Sequence, residues 1–322
     1  MPGLIVIAKK EFLDHISSRK FLLIFGTLLI IVLVSAIQGA ETFTSSPESG
    51  VVNLSTALTQ MVNNISTVGG ILAVALSFDV INREKVSGSL KVLLSYPIYR
   101  DTVLIGKFLG GLGVMIIVAI TAFITGVGTF VAITGVPLSP DSGLRLLLFL
   151  GMSILYLTLF LGIGLLFSIV FSEPSTSLLG AMIFWLASSF LIPNLAFTIS
   201  TIVYPPTFGR QGIGAGMGAT SPGGQGTPTI IRFGEQAQFL TRLISSISPS
   251  ESFRTAVTTI LTTSRIQFIP TQSGQGSRSI TTIPISLQQA TLTALPNIIY
   301  LLALLSMVFA VCYIRFTREE IR

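Results

Sequence analysis

Six apolar stretches divide the chain, running Phe21–Ile37, Ile65–Ile81, Phe108–Thr134, Leu144–Val170, Leu178–Val203 and Asn297–Ile314. Each is of the order of the roughly 20 residues a helix needs to cross a bilayer's hydrocarbon core. Backbone polar groups in lipid must be paired within the segment, so each stretch reads as a helix, and the alternation of a membrane β-barrel is absent. The pattern predicts an all-α integral membrane protein with six transmembrane helices.

The polar stretches carry a second layer of pattern. In residues 1–20, Leu4, Ile5, Ala8, Phe12, Leu13 and Ile16 fall on one helical face, and Lys9, Lys10, Glu11 and Asp14 fall largely on another. That is the signature of an interfacial helix lying along the inner leaflet, with a solvated tail as the alternative. Val34-Ser35-Ala36 resembles a cleavage site, but the apolar run before it is too long for a signal peptide. Residues 38–64 read as a polar loop with a helical lead-in to the second span. Residues 204–296 are far longer than a connection needs to be. Within them Gly209–Thr227 is rich in Gly, Gln, Ser and Pro. Phe239, Leu240, Leu243, Ile244 and Ile247 then recur at helical spacing. Ser248 or Ser250 can cap a further helix holding Phe253, Val257, Ile260 and Leu261. Thr271–Ser286 is polar again, so the whole reads as a small external cap of amphipathic helices. The expected organisation is therefore an interfacial helix over 1–20, five spans over 21–203, an external loop and cap over 204–296, and a sixth span with its tail over 297–322.

Composition narrows the class. Half the residues are apolar, 10% are charged and the mean hydropathy is +0.82, where a soluble domain carries about a quarter charged residues. The net charge of +6 is no nucleic-acid signal, because the basic residues sit at span ends. Lys9, Lys10, Arg19 and Lys20 precede the first span. Arg83, Lys85, Lys91, Arg100 and Lys107 lie between the second and third, and Arg315, Arg318 and Arg322 follow the sixth. The excess of lysine and arginine predicts both termini in the cytoplasm of a plasma-membrane protein. Cys312 and His15 are the only residues of their types, which removes intramolecular disulfides, thiolate clusters and multi-histidine metal sites.

Catalytic signatures are missing too: there is no phosphate-binding loop, no H-E-x-x-H and no G-x-S-x-G. Asn53-Leu54-Ser55 and Asn64-Ile65-Ser66 match the glycosylation sequon, a match common by chance. Asp79, at the inner end of the second span, either pairs with Arg83 one turn on or faces the cytoplasm. Ser66, Thr67 and Ser77 in the second span, with Asn63 and Asn64 just outside it, serve either close helix packing or a translocation path that would also include Asp79. Pro193 is expected to kink the fifth span, as a bend or a gate.

The polar run after Asp79 has a more specific pattern. Glu84, Gly88, Leu90, Leu93, Leu94, Ser95, Pro97, Ile98, Arg100 and Gly106-Lys107 resemble the cytoplasmic segment of type-2 (ABC-2) ATP-binding-cassette exporter permeases. That family's pattern reads E-x-x-x-G-[ST]-L, then L-L-[ST]-x-P-[IV]-x-R, then a [GK]-[KR] pair opening the third span. Ser248-Pro249-Ser250-Glu251-Ser252-Phe253-Arg254 is similar to its N-P-x-x-x-[FY]-R segment, with serine replacing asparagine. The resemblance implies a coupling helix about Glu84–Ser95 within residues 83–100, docking on a separate ATPase subunit through Arg83, Glu84, Gly88, Leu90, Lys91, Leu93, Leu94, Pro97 and Arg100. It further implies a dimer with itself or a related permease, ATP and Mg held by the ATPase, and no cofactor on this chain. A solvated loop helix is the plain alternative for the segment. For the chain, the alternatives are a scaffold or receptor whose external loop binds a partner, or a membrane enzyme. The last would need clustered acids or histidines in the spans. Nothing in the residues specifies a cargo.

Overall fold

The computed structural model describes residues 2–44, 54–88, 100–135, 139–205, 207–208, 231–232, 235–262, 264–270 and 278–318. Among the described residues, six helical segments are long and apolar enough to cross a membrane: Arg19–Thr42, Leu58–Val86, Asp101–Thr134, Pro140–Val170, Pro174–Val203 and Leu287–Arg318. They contain the six stretches expected from hydropathy and overrun most of them, because the hydrocarbon sets the apolar run whereas a helix can continue through the headgroups.

In chain order, α1 (Pro2–Ile16) leads to the first span, α2 (Arg19–Thr44). The second span is composite: α3 (Leu54–Asn64), a π-helical turn Ile65–Gly69 and α4 (Gly70–Ser77). A short helix α5 (Asn82–Val86) follows, then α6 (Arg100–Thr134) and α7 (Pro140–Val170). The fifth span joins α8 (Pro174–Leu186), a second π turn Ala187–Leu191 and α9 (Ile192–Val203). After the two-residue strands β1 (Thr207–Phe208) and β2 (Ile231–Arg232) come α10 (Glu235–Ser245) and α11 (Pro249–Leu261). An antiparallel hairpin of β3 (Ser264–Pro270) and β4 (Arg278–Pro284) then leads into the sixth span, α12 (Leu287–Arg318). The hairpin falls partly where the sequence suggested only polar coil. Asn63 and Asn64 stand inside the second helix rather than beyond it, since Leu58, Met61 and Val62 already belong to the core.

Pro193 does perturb the fifth span. A proline ring crowds the carbonyl four residues earlier and removes one helical hydrogen bond. Here the helix widens into the π turn that ends two residues before Pro193. The wider turn lodges Ser188 and Ser189 in the interior.

α11 is the element whose placement sequence reasoning misjudged most. It is no cap lying over the bundle. Its first turn meets Tyr156, midway along α7, and Arg145 near the start of α7 holds its last carbonyls. The stretches Arg145–Tyr156 and Ser250–Leu261 each advance by about 16 Å, so α11 runs antiparallel to α7 down to half its depth. Phe253, Val257, Ile260 and Leu261 are all buried in the main core. By contrast α10 leaves Phe239 and Leu243 exposed, with Ile247 exposed just past its end, and of the apolar face expected there only Leu240 and Ile244 are half-buried.

α1 packs along α6. A Cβ on Gly106 would fall 2.7 Å from Ile7 Cγ2, and one on Gly110 2.7 Å from Glu11 Cβ, so these glycines make a groove that seats α1. The contact face is Ile7, Ala8, Glu11 and Phe12, rotated from the face expected. Ile5, Val6 and Leu13 point outward.

Candidate functional site

The segment leaving the second span is tied to several neighbouring helices. Ile81 N and Asn82 N both donate to Ser168 Oγ of α7, at 3.0 and 3.2 Å. Lys85 Nζ donates to the Ile169 carbonyl at 3.1 Å, satisfying an end of α7 that helical bonding leaves open. Ser177 Oγ of α8 donates to the Phe78 carbonyl at 2.9 Å. Asp79 does not pair with Arg83. Its carboxylate takes Lys20 Nζ of α2 at 3.0 Å, because the helix loosens into turn between Phe78 and Ile81 and its side chain turns toward the first span. Gly88, at φ +73°, follows α5 in the left-handed region that a side chain disfavours.

At the centre of this region lies an ion triad. Lys107 Nζ bonds Glu11 Oε1 at 2.7 Å and Glu84 Oε1 at 2.8 Å, and the lysine side chain is only 1% exposed. Three elements distant in sequence, α1, α5 and α6, therefore meet on one ammonium. Glu84 Oε2 and both amide atoms of Asn82 are buried without a hydrogen-bond partner. A cleft of about 580 Å³ opens beside the triad, with Asp14, His15, Lys20, Asp79 and Arg83 also on its walls. Burial holds the His15 imidazole below its ordinary range, against the opposing pull of Glu11 and Asp79.

Of the residues expected at the coupling interface, Arg83, Glu84 and Gly88 stand here: Arg83 is exposed and Glu84 is committed to the triad. Leu90, Lys91, Leu93, Leu94 and Pro97 lie outside the described residues, as does the side chain of Arg100. Val86, which sequence reasoning passed over, is 70% exposed beside Arg83.

The residues suggested for a translocation path divide among different neighbours. Asn64 Nδ2 donates to Ser35 Oγ in α2, and Asn63 supplies the carbonyl that accepts from Thr67 Oγ1. Ser77 packs against Gly164 of α7 and returns its hydroxyl to the Ala73 carbonyl at 2.9 Å, while Asp79 belongs to the cleft. Ser66 and Thr67 sit in the first π turn, where Ser66 meets α11 through Arg254 and the Thr67 carbonyl accepts from Trp185 Nε1.

The buried tip of α11 forms a second polar centre. Ser248 caps α11, accepting from Glu251 N at 3.3 Å, and its own hydroxyl donates to the Ser188 carbonyl at 2.5 Å. Ser250 Oγ lies 3.1 Å from Tyr156 Oη, 3.1 Å from Ser188 Oγ and 3.0 Å from Ser189 Oγ. Tyr156 Oη also donates to the Ser66 carbonyl, and Arg254 Nε donates to Ser66 Oγ at 3.0 Å. The two π turns thus make the seat for the tip of α11. In lipid such hydroxyls need partners, and here each serine finds one in another serine, a tyrosine or a freed carbonyl.

At the other end of α11, Arg145 is 1% exposed. It donates to the carbonyls of Ile260 (2.7 Å), Thr262 (2.9 Å) and Ile285 (2.7 Å), and its Nε bonds Asp141 at 2.7 Å. One planar guanidinium thereby ties α7 to the end of α11 and the approach to α12. The only local signal was an arginine four residues after an aspartate at the start of a span.

Among the described residues, six membrane-length helices that pack around two buried polar centres define an integral membrane protein. A family profile described as ABC-2 family transporter protein matches residues 5–321, and the chain belongs to that family. It is 34% identical over 116 residues to a protein of Pseudomonas aeruginosa called probable ABC transporter permease protein NosY, a match covering 34% of this chain and 39% of that one. A protein of the same name from Stutzerimonas stutzeri is 29% identical over 104 residues, covering 32% and 37%. The chain matches less than two fifths of the length of either relative.

Proposed function

We propose that this chain is the membrane-spanning subunit of an ATP-driven exporter, receiving work from a separate ABC ATPase through residues 83–100. In this reading both termini and the triad cleft face the cytoplasm, and two permease chains form the translocating dimer. ATP and Mg are held by the ATPase, and this chain contributes no catalytic group.

The observation that carries the reading is the tie of Glu84 to Lys107 and Glu11. A load applied to α5 passes directly into α6 and α1, because breaking a buried pair would leave an uncompensated charge. Residues 81–85 also hang on α7, Ile81 and Asn82 through Ser168 and Lys85 through the Ile169 carbonyl, so a push would reach the helix that packs against α11. Movement of α11 in its seat of serines would then open and close the path at mid-membrane. The residues Asn63, Asn64, Ser66, Thr67, Ser77 and Asp79 would flank that path rather than form one continuous lining.

The test is co-purification and ATP hydrolysis with the partner ATPase in membranes. Glu84→Ala and Leu93→Asp are expected to insert normally yet lose ATP-driven transport. Normal ATPase yield and full transport activity in both variants would overturn the coupling assignment.

A further inference from the structure

The sixth span ends in a cleft of about 370 Å³ that neither polar centre uses. Its walls are Ile169 and Val170, at the end of α7, and Val311, Ile314, Arg315 and Arg318 of α12. The α12 residues fall at i, i+3, i+4 and i+7, one face of a helix. Along that face Val311 and Ile314 come first and the two arginines follow, Arg315 about 6 Å and Arg318 about 10 Å beyond Val311 toward the end of the span.

Among the described residues this charge has no acidic partner: no acidic side chain lines the cleft, and neither guanidinium pairs with a carboxylate. Asp101 accepts from Tyr313 Oη at 3.1 Å on a different face of α12. The Ile169 carbonyl, which would otherwise present negative dipole to the cleft, is already taken by Lys85, adding a third cation at its edge. Residues 319–322 lie outside the described residues.

We infer that this cleft binds one anionic phospholipid of the adjoining leaflet, its phosphate on Arg315 and Arg318 and an acyl chain against Ile169, Val170, Val311 and Ile314. The order of apolar wall and basic rim matches the order of tail and head, and the volume lies in the range of small-molecule sites. Zwitterionic lipids cancel their phosphate charge and fit the rim poorly, whereas anionic headgroups gain from each basic side chain near the surface. The occupant would touch α7 beside Lys85, and hence the segment that carries Glu84. The binding claim does not depend on that segment's role.

The experiment measures labelled phosphatidylglycerol binding to the purified full-length chain in neutral detergent. Competition is by unlabelled phosphatidylglycerol, phosphatidylcholine or inorganic phosphate. Saturable binding of one lipid per chain is expected, displaced by phosphatidylglycerol and not by phosphatidylcholine. The double substitution Arg315→Gln/Arg318→Gln should weaken it roughly 10- to 30-fold. Arg315→Lys/Arg318→Lys should retain most of it, and Val311→Trp should remove it with both arginines present. Lys9→Gln/Lys10→Gln, which subtracts the same charge from α1, should leave it within about twofold, since those lysines are outside the cleft. Equal loss in the α1 variant, or equal competition by phosphatidylcholine, would overturn the proposal in favour of general attraction to lipid. Displacement by millimolar phosphate as effective as by the lipid would overturn it in favour of a free-anion site. Absence of binding, with two copies of a Val311→Cys variant in a Cys312→Ser background joining by disulfide, would overturn it and give the cleft to a second chain.

Discussion

Removing the ammonium of Lys107 tests whether the triad is a mechanical junction. Lys107→Met keeps the volume of the stem and deletes the charge that Glu11 and Glu84 share at 2.7 and 2.8 Å. With an effective dielectric constant of about 20, each contact corresponds to roughly 6 kcal/mol of Coulomb attraction before desolvation is subtracted. Breaking a buried pair costs about 3–5 kcal/mol in net stability. The two carboxylates are 11% and 18% exposed, so partial solvation places the expected loss near the lower figure, about 3 kcal/mol. The assay is unfolding in a detergent mixture of rising SDS content, followed by the fluorescence of the single tryptophan, Trp185. Its indole Nε1 donates to the Thr67 carbonyl at 3.1 Å and so reports on the bundle interior. The neutral triple variant Lys107→Met/Glu11→Gln/Glu84→Gln should recover most of the stability, because no buried charge is stranded. It should not recover ATP-driven transport, if the junction transmits force. A Lys107→Met protein that unfolds at the wild-type midpoint would refute the electrostatic argument. A triple variant with full transport would refute the mechanical one.

Other expectations follow from the same geometry. Arg145→Gln strands up to three carbonyls and Asp141, at about 1.5–3 kcal/mol for each charge-assisted bond lost, and should raise amide exchange across residues 249–262. Arg145→Lys should not rescue it, since an ammonium cannot span the carbonyls of Ile260, Thr262 and Ile285 in one fork. Gly110→Val should lift α1 from α6, where an added Cβ already meets Glu11 Cβ at 2.7 Å and the Ala8 carbonyl at 2.9 Å; loss of an engineered disulfide between the two helices would show it. His15, held below its ordinary range by burial, binds fewer protons folded than unfolded below about pH 6.5. Stability should therefore be complete above that pH and fall as the solution is acidified. His15→Gln should flatten this part of the pH dependence of the SDS midpoint.

Hydropathy exposed the six spans because the solvent itself selects them: a run of apolar residues long enough for the bilayer has few other fates. The family-like segment was legible for another reason, since Glu84, Gly88, Pro97 and Arg100 recur at fixed local spacing. What stayed hidden depends on contacts across sequence. Glu11 sits among charged residues and reads as part of a solvated face, yet its partner Lys107 is 96 positions away. Arg145 has only Asp141 as a local partner, and its three carbonyls come from segments 115 to 140 residues on. The amphipathic pattern of α11 was legible, but amphipathicity gives a face and not a depth. Its descent to Tyr156 required the π turns at Ile65–Gly69 and Ala187–Leu191, and only the second had a visible cause, in Pro193.

The most direct test of the central claim is photo-crosslinking in cells, with a benzoyl-phenylalanine placed at Val86, 70% exposed beside the triad, or at Phe239, 64% exposed on α10. The account predicts an ATP-binding subunit in the Val86 adduct and none in the Phe239 adduct. The reverse pattern, or no ATPase at either position, would contradict it.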